Sequence, residues 1–303
     1  MDDNCEFLVF GATGQQGGAV ARALRAKGRT VRAFVRNPDS AKAMALAGEG
    51  ISLAKGDLFD AASIDRAMAG IDGVFSVQTS SPGGEVSDQQ EVDQGKAIAD
   101  SALRHGVRHL VYSSGGGAGK GPTGMGHFDS KSEIEAYVQG LPMAITITRP
   151  ASFMEMMMLP GMGLPESEFT FFMRPDQLMQ MIAVKDLGRI NAEILMAPDR
   201  YSGRAIELSS ASVTGEDLAR AFTRAAGRLI TYRRFSDKML DNNPFLKRLA
   251  ELVDDGLLAG MADIPALERE FGALTSLDAW LGGDGKSLFE AAFNAGKADV
   301  ALR

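Results

Sequence analysis

The apolar run EFLVF, residues 6–10, leads without a break into GATGQQGGAV, so that Gly11, Gly14 and Gly17 stand three apart between a predicted strand and a predicted helix. In that setting the first glycine permits a tight turn. The second lets backbone approach a pyrophosphate, and the third lets the helix pack close on the strand, while the first amides of the helix face the anion. The spacing predicts a dinucleotide-binding strand–turn–helix unit, and such a unit needs a sheet of parallel strands around it.

The sequence supplies those strands. EFLVF, TVRAFV, ISLAK, GVFSVQ, RHLVYSS and AITITR read as strands, and residues 16–27, 62–68 and 86–105 as helices between them. Runs rich in Val, Ile and Phe without strict alternation suit burial on both faces, as in a parallel sheet covered by helices. The predicted class is therefore α/β, a Rossmann-type doubly wound parallel sheet with a smaller, mostly helical C-terminal lobe. Glycine is abundant, 35 residues, mostly before residue 165. After Pro150 the texture changes to a methionine-rich segment, 151–181, with no sustained period. A division at 150 is expected, with residues 1–150 holding the cofactor and residues 151–303 forming a substrate or partner cleft, while segments 182–197 and 203–212 pack back on the first part. Thr214 and Asp217 have the spacing of a capping-box variant, and residues 244–281 read as mostly helical.

Composition excludes several classes. One cysteine, Cys5, leaves no internal disulfide or thiolate zinc site, and three histidines argue against a His-rich metal centre, so no metal is expected. Cys5 beside the first apolar run reads as a buried, inert thiol. A formal net charge of −7 repels a polyphosphate backbone, so nucleic acid is not an expected partner. No stretch approaches the ~20 apolar residues of a membrane span, and the acidic start MDDNCEF is unlike a signal peptide, so a cytoplasmic location is expected.

The G-x-x-G-x-x-G spacing resembles that of the short-chain dehydrogenase/reductase superfamily. At the end of the second strand, where an NAD site places an acid on the ribose, the counted residue is Arg36. A guanidinium matches a 2′-phosphate and an acid would repel it, so the expected cofactor is NADP(H). Arg32, earlier on the strand, reads as pointing to solvent. Asp57 and Leu58 fall near the expected adenine slot, Asp60 reads as a helix cap, and Val77, Gln78 and Thr79 after the fourth strand should run beneath the middle of the cofactor.

Short-chain dehydrogenases use a Tyr-x-x-x-Lys pair for proton transfer and ribose binding. This chain has none. After the fifth strand, with its Ser113 and Ser114, the chain reads HFDSKSEIEAY, so that His127 and Lys131 take the two places and share a helix face if the helix begins early enough. Imidazole can move protons near neutral pH. The competing reading is a solvated His127 ahead of a helix capped by Asp129 or Ser130.

The segments GATGQQGGAVARAL, VRAFVRNP, GDLFD, EVDQGKAIADSA, VRHLVYSSG, HFDSKSEIEAY, TRPASFME, VKDLG, YSGRAIELSS and LTSLDAWL resemble the NmrA-like family of atypical short-chain dehydrogenase/reductases, with most likeness to its NADPH-sensor members. The resemblance implies that Gly11, Thr13, Gly14, Gln16 and Gly17 hold the pyrophosphate and Arg36 the 2′-phosphate. It also implies that Lys131 reaches the nicotinamide ribose and that Pro150 and Phe153 border the nicotinamide, with Ser113 on the cofactor side. The glycine-rich loop 114–125 departs from the family pattern. Nine of the sixteen methionines lie between Met143 and Met181, either as packing or as an adaptable wall for an aromatic ligand or a protein. Two functions follow. One is a redox sensor whose NADP(H) occupancy shifts conformation and contact with a regulatory protein partner. The other is an NADPH-dependent reductase of a quinone, enone or similar small apolar substrate, with Lys131 or His127 as proton donor. No membrane partner is expected, and a homodimer is left open.

Overall fold

The six apolar runs become the strands of one sheet, and the segments between them return as helices in the computed structural model, which describes residues 5–78 and 85–300. In chain order these are β1 (Glu6–Val9), α1 (Gln15–Ala26), β2 (Thr30–Val35), α2 (Ala41–Gly48), β3 (Ser52–Lys55), α3 (Ala61–Met68), β4 (Gly73–Ser76), α4 (Asp88–Arg104), β5 (His109–Ser113), α5 (Gly126–Gln139) and β6 (Ile145–Pro150). There follow β7 (Ser152–Phe153), β8 (Glu168–Phe171), β9 (Met179–Ile182), α6 (Val184–Leu195), α7 (Pro198–Tyr201), β10 (Ala205–Leu208), β11 (Ala211–Val213), α8 (Gly215–Ala226), β12 (Thr231–Arg234), α9 (Asp237–Asn242), α10 (Pro244–Asp254), α11 (Ile264–Phe271), α12 (Leu277–Gly282) and α13 (Lys286–Phe293).

The main sheet runs β10-β6-β5-β4-β1-β2-β3, and its pairings from β3 across to β6 are parallel, with Phe7 opposite both Val31 and Gly73. The strand order reverses between β1 and β4, which opens a crevice at their carboxyl ends, the usual ligand position in such sheets. Helix starts are set by side chains. Ser40 caps α2, and Ser87 with Gln90 forms a full capping box on α4, which explains why that 17-residue helix begins where it does. One face of the sheet buries Leu8, Phe10, Val74, Leu110, Tyr112 and Ile147 against α3, α4 and α5. α6 packs on α1 closely enough that a Cβ on Gly188 would lie 2.6 Å from the backbone of Ala19.

The contacts divide the chain into two units. The first takes residues up to Pro122, then Gly126–Arg149 and Val184–Ile206; the second takes Thr123–Met125, Pro150–Ala183 and the chain from Glu207 onward. Within the second unit β11-β9-β7 make a small sheet and β12-β8 a two-stranded one. The aperiodic stretch becomes short strands and two 3-10 turns, Met154–Met158 and Leu164–Glu166. Met154, Met157, Met162, Met173, Met179 and Met181 are buried, so the packing reading of the methionines accounts for most of that segment. The Thr214–Asp217 capping box starts α8, and Gly227 in the left-handed region ends it. Among the described residues no helix is long and apolar enough to cross a membrane.

Candidate functional site

β1 ends against β4, and the chain then turns sharply: Gly11 adopts φ +64°, and the N–H of Gly14 donates to its carbonyl at 2.9 Å. A Cβ at Gly11 would lie 2.7 Å from Val77 Cγ1, and one at Gly17 would lie 2.4 Å from the Gly11 carbonyl oxygen, so both places demand glycine. Helix α1 begins with no side-chain cap and no acidic residue in its first turn. Its leading amides and positive dipole end are thus open to an anion. Gln16, in that first turn, accepts a hydrogen bond from the Ser113 hydroxyl at 2.7 Å, which ties the glycine turn to the end of β5. Thr13 sits half-buried in the turn itself.

Arg36 follows β2 directly. Its side chain is 73% exposed and meets Glu85, itself 87% exposed, at 3.5 Å. A pair so exposed contributes little and leaves the guanidinium available to a stronger acceptor. Arg32 does not point to solvent as expected: its side chain is 23% exposed, pairs with Glu6 at 3.0 Å and donates to the carbonyls of Ala67 and Ala69. The β2–β3 register, Val35 opposite Lys55, brings Arg36 alongside the turn that holds Asp57 and Leu58. The Asp57 carboxylate accepts from the Phe59 N–H at 3.0 Å, Leu58 packs against the core, and Asp60 caps α3. Phe59, which sequence reasoning passed over, presents a largely exposed ring there.

At the end of β4, Val77 and Gln78 are both buried. The Gln78 amide donates to Ser76 Oγ at 2.7 Å, while its carbonyl oxygen has no partner among the described residues. Thr79 lies outside the described residues.

Helix α5 begins at Gly126, so His127 lies within its first turn rather than ahead of it, and His127 and Lys131 share one face. Burial, then the charge of Lys131, lowers the His127 pKa against the opposing pull of Asp88, Glu91 and Asp129. The shift favours the neutral form of the imidazole. Lys131 Nζ donates to Glu91 Oε1 at 2.5 Å, and Ser130 Oγ donates to the other carboxylate oxygen at 2.6 Å. Glu91 is fully buried on α4. Its signal was present in the sequence, because Glu91, Gly95, Ile98 and Ala102 recur at helical spacing on the inward face. Tyr112 is buried with a hydroxyl that has no hydrogen-bond partner among the described residues, its pKa raised by burial and then by Glu91 and Glu135. Glu135 is held by Arg149 through two hydrogen bonds of 3.0 and 2.6 Å.

The remaining two predicted residues fall in the second unit. Pro150 closes β6 and is buried; Phe153, half-buried in β7, stands opposite Ile182.

A model of the NmrA-like family matches residues 4–296. The chain belongs to the NmrA-like family. Among relatives of this NmrA-like protein, the NmrA-like family domain-containing oxidoreductase malD of Malbranchea aurantiaca is 33% identical over 254 residues, 75% of this chain and 74% of that one. The NAD(P)H azoreductase of Xenophilus azovorans is 28% identical, with 74% of this chain and 75% of the relative covered. Of solved structures, the negative transcriptional regulator NmrA in complex with NAD superposes with a TM-score of 0.79 at 21% identity, covering 96% of this chain and 98% of that one. The same regulator has been solved with NADP, at a TM-score of 0.68 and 23% identity, covering 97% and 96%. These superpositions establish the shared fold.

Proposed function

We propose that this NmrA-like protein binds NADP(H) on its first unit and passes hydride from NADPH to a small apolar acceptor of the quinone or enone class. The observation that carries the cofactor reading is the conjunction of an uncapped α1 behind the Gly11–Gly14–Gly17 turn with an exposed, weakly paired guanidinium, Arg36, at the end of β2. The pyrophosphate would lie on the α1 amides and the 2′-phosphate on Arg36. The residues present fit that cofactor: the close approaches at Gly11 and Gly17 keep side chains out of the turn, and the orphaned Gln78 carbonyl offers an acceptor at the end of β4. Bound there, NADPH supplies the hydride.

The proton side of the reaction narrows the acceptor. Lys131 is paired with Glu91, the His127 pKa is lowered by burial and by Lys131, and no Tyr-x-x-x-Lys pair exists. An acceptor that needs a strong protein acid at the moment of transfer, such as a simple ketone, is disfavoured. A quinone or enone becomes a stabilised anion on receiving hydride and takes its proton from water. The names of the relatives, an oxidoreductase and an NAD(P)H azoreductase, favour redox turnover.

A second reading, a redox sensor that signals to a regulatory protein partner, is favoured by the Lys131–Glu91 pair. A cofactor ribose that draws on Lys131 competes with a residue of α4 and so reports its arrival to that helix. One experiment separates the two. Purified protein is mixed with NADPH, binding is followed by nicotinamide fluorescence, and quinones, enones and aldehydes are then added. Protein-dependent decay over many turnovers with quinones or enones supports the reductase. Tight binding with no decay across the panel refutes it in favour of the sensor, and no binding refutes both.

A further inference from the structure

Glu91 is a carboxylate with no exposure to solvent, placed between two helices and held by the Lys131 ammonium and the Ser130 hydroxyl. A buried carboxylate is tolerated when a charge and hydrogen bonds compensate its lost hydration, and here both oxygens are served. The second buried carboxylate of the region, Glu135, is neutralised separately by its two-pronged contact with Arg149. Glu91 is ion-paired with Lys131, whose side chain is 13% exposed and whose ammonium keeps two further N–H donors for a ligand.

We infer that Glu91 sets the balance between oxidised and reduced cofactor in this site by cancelling the charge of Lys131. The inference rests on the reading that Lys131 serves the nicotinamide ribose. NADP+ and NADPH carry the same phosphates, so the glycine turn and Arg36 do not distinguish them by charge. They differ by one positive charge on the nicotinamide ring. A bare lysine at that end would repel the oxidised ring and bias the site toward NADPH. With Glu91 behind it the pair is neutral, and both redox states bind without that penalty. Glu91 is fully buried and the Lys131 side chain is 13% exposed, so salt screens their charges less than those of a surface pair. Asp88 and Asp129, the other acids that act on His127, lie nearer the start of the two helices and remain in every variant below.

The test measures dissociation constants for NADPH, NADP+ and 2′,5′-ADP, which lacks the nicotinamide, on wild type, E91Q, K131M and E91Q/K131M. The amide of E91Q keeps the shape of the carboxylate and an oxygen for Ser130 or Lys131, so the helices stay joined. In E91Q the affinity for NADP+ falls relative to NADPH on the order of tenfold, the effect of one uncompensated charge a few ångströms beyond contact. In K131M the ratio moves the other way, and in the double variant it returns toward wild type, while 2′,5′-ADP binds alike throughout. Should E91Q fail to fold, K131M and the double variant still give the reversal and the return. A ratio that stays put in the folded variants, or a double variant that does not restore it, overturns the inference while leaving the cofactor reading intact. Wild type that binds neither NADPH nor 2′,5′-ADP overturns that reading and this inference with it.

Discussion

His109, at the start of β5, provides a stability prediction whose size follows from its surroundings. The ring is fully buried, with Nδ1 3.3 Å from the carbonyl of Leu195 and Nε2 2.8 Å from the hydroxyl of Thr146. Burial lowers its pKa from 6.5 to about 4, with the Leu195 carbonyl opposing only in part. The unfolded chain therefore takes up this proton near pH 6.5 and the folded chain only near pH 4, so the native state binds fewer protons between those values. The stability contributed by the neutral ring is complete above pH 6.5 and is lost as pH falls toward 4. Between pH 7.5 and pH 5 the loss is about 2 kcal/mol, and below the folded value it approaches about 3 kcal/mol. Glutamine at this position keeps a donor and an acceptor without titrating, which makes H109Q the comparator. Urea unfolding followed by far-UV circular dichroism at pH 7.5 and pH 5 should show the wild-type midpoint moving about 0.7 M further than that of H109Q, given a slope of about 3 kcal/mol/M. Carboxylates common to both proteins cancel in the difference. If the two midpoints move in parallel, the ring is not held neutral by burial and the reasoning fails.

Three further outcomes are expected. R36D should weaken NADPH on the order of a hundredfold through loss of charge-assisted contacts with the 2′-phosphate and leave NADH little changed, measured by fluorescence titration; equal losses would remove the 2′-phosphate role. G17A should lower stability by about 2 kcal/mol and abolish cofactor binding, because the new methyl meets the backbone at Gly11 and Phe10 rather than a side chain that can rotate away, whereas G48A, with open space around it, should be neutral or slightly more stable in the same thermal melts. Y112F removes a buried hydroxyl that has no partner among the described residues, so it should cost less than about 0.5 kcal/mol or raise the melting temperature; a loss beyond about 1 kcal/mol would mean the hydroxyl does hold a partner.

The parts of this molecule legible in its sequence are those whose cause is local. The six strands announced themselves by apolar runs, and the glycine turn by spacing between a strand and a helix. The Thr214 cap was visible because a cap and its partner lie three residues apart. α2 was passed over: AKAMALAG is short and alanine-rich, and its cap Ser40 stands among turn residues. The site was half legible. Arg36 could be placed by counting from the glycines, and His127 with Lys131 by their position after β5. What the lysine does in the folded chain depends on Glu91, forty residues away and joined to it only by the packing of α4 on α5. Arg32 could be set aside as a phosphate ligand, but not assigned its contacts with Glu6 and with the carbonyls after α3, since those come from the tertiary fold.

The first unit is completed late in the chain: α6, which covers α1, and β10, which extends the sheet past β6, arrive only after the strands and turns from β7 to β9. During translation, at roughly 5–20 residues per second, β1 to β6 leave the ribosome seconds before their missing pieces. For that interval the nascent sheet has an open edge at β6, and α1 shows the bare stripe on which Gly188 will later settle. A chain stopped near Pro150 lacks both pieces, so its β6 edge and the α1 face that α6 covers are left without their native partners.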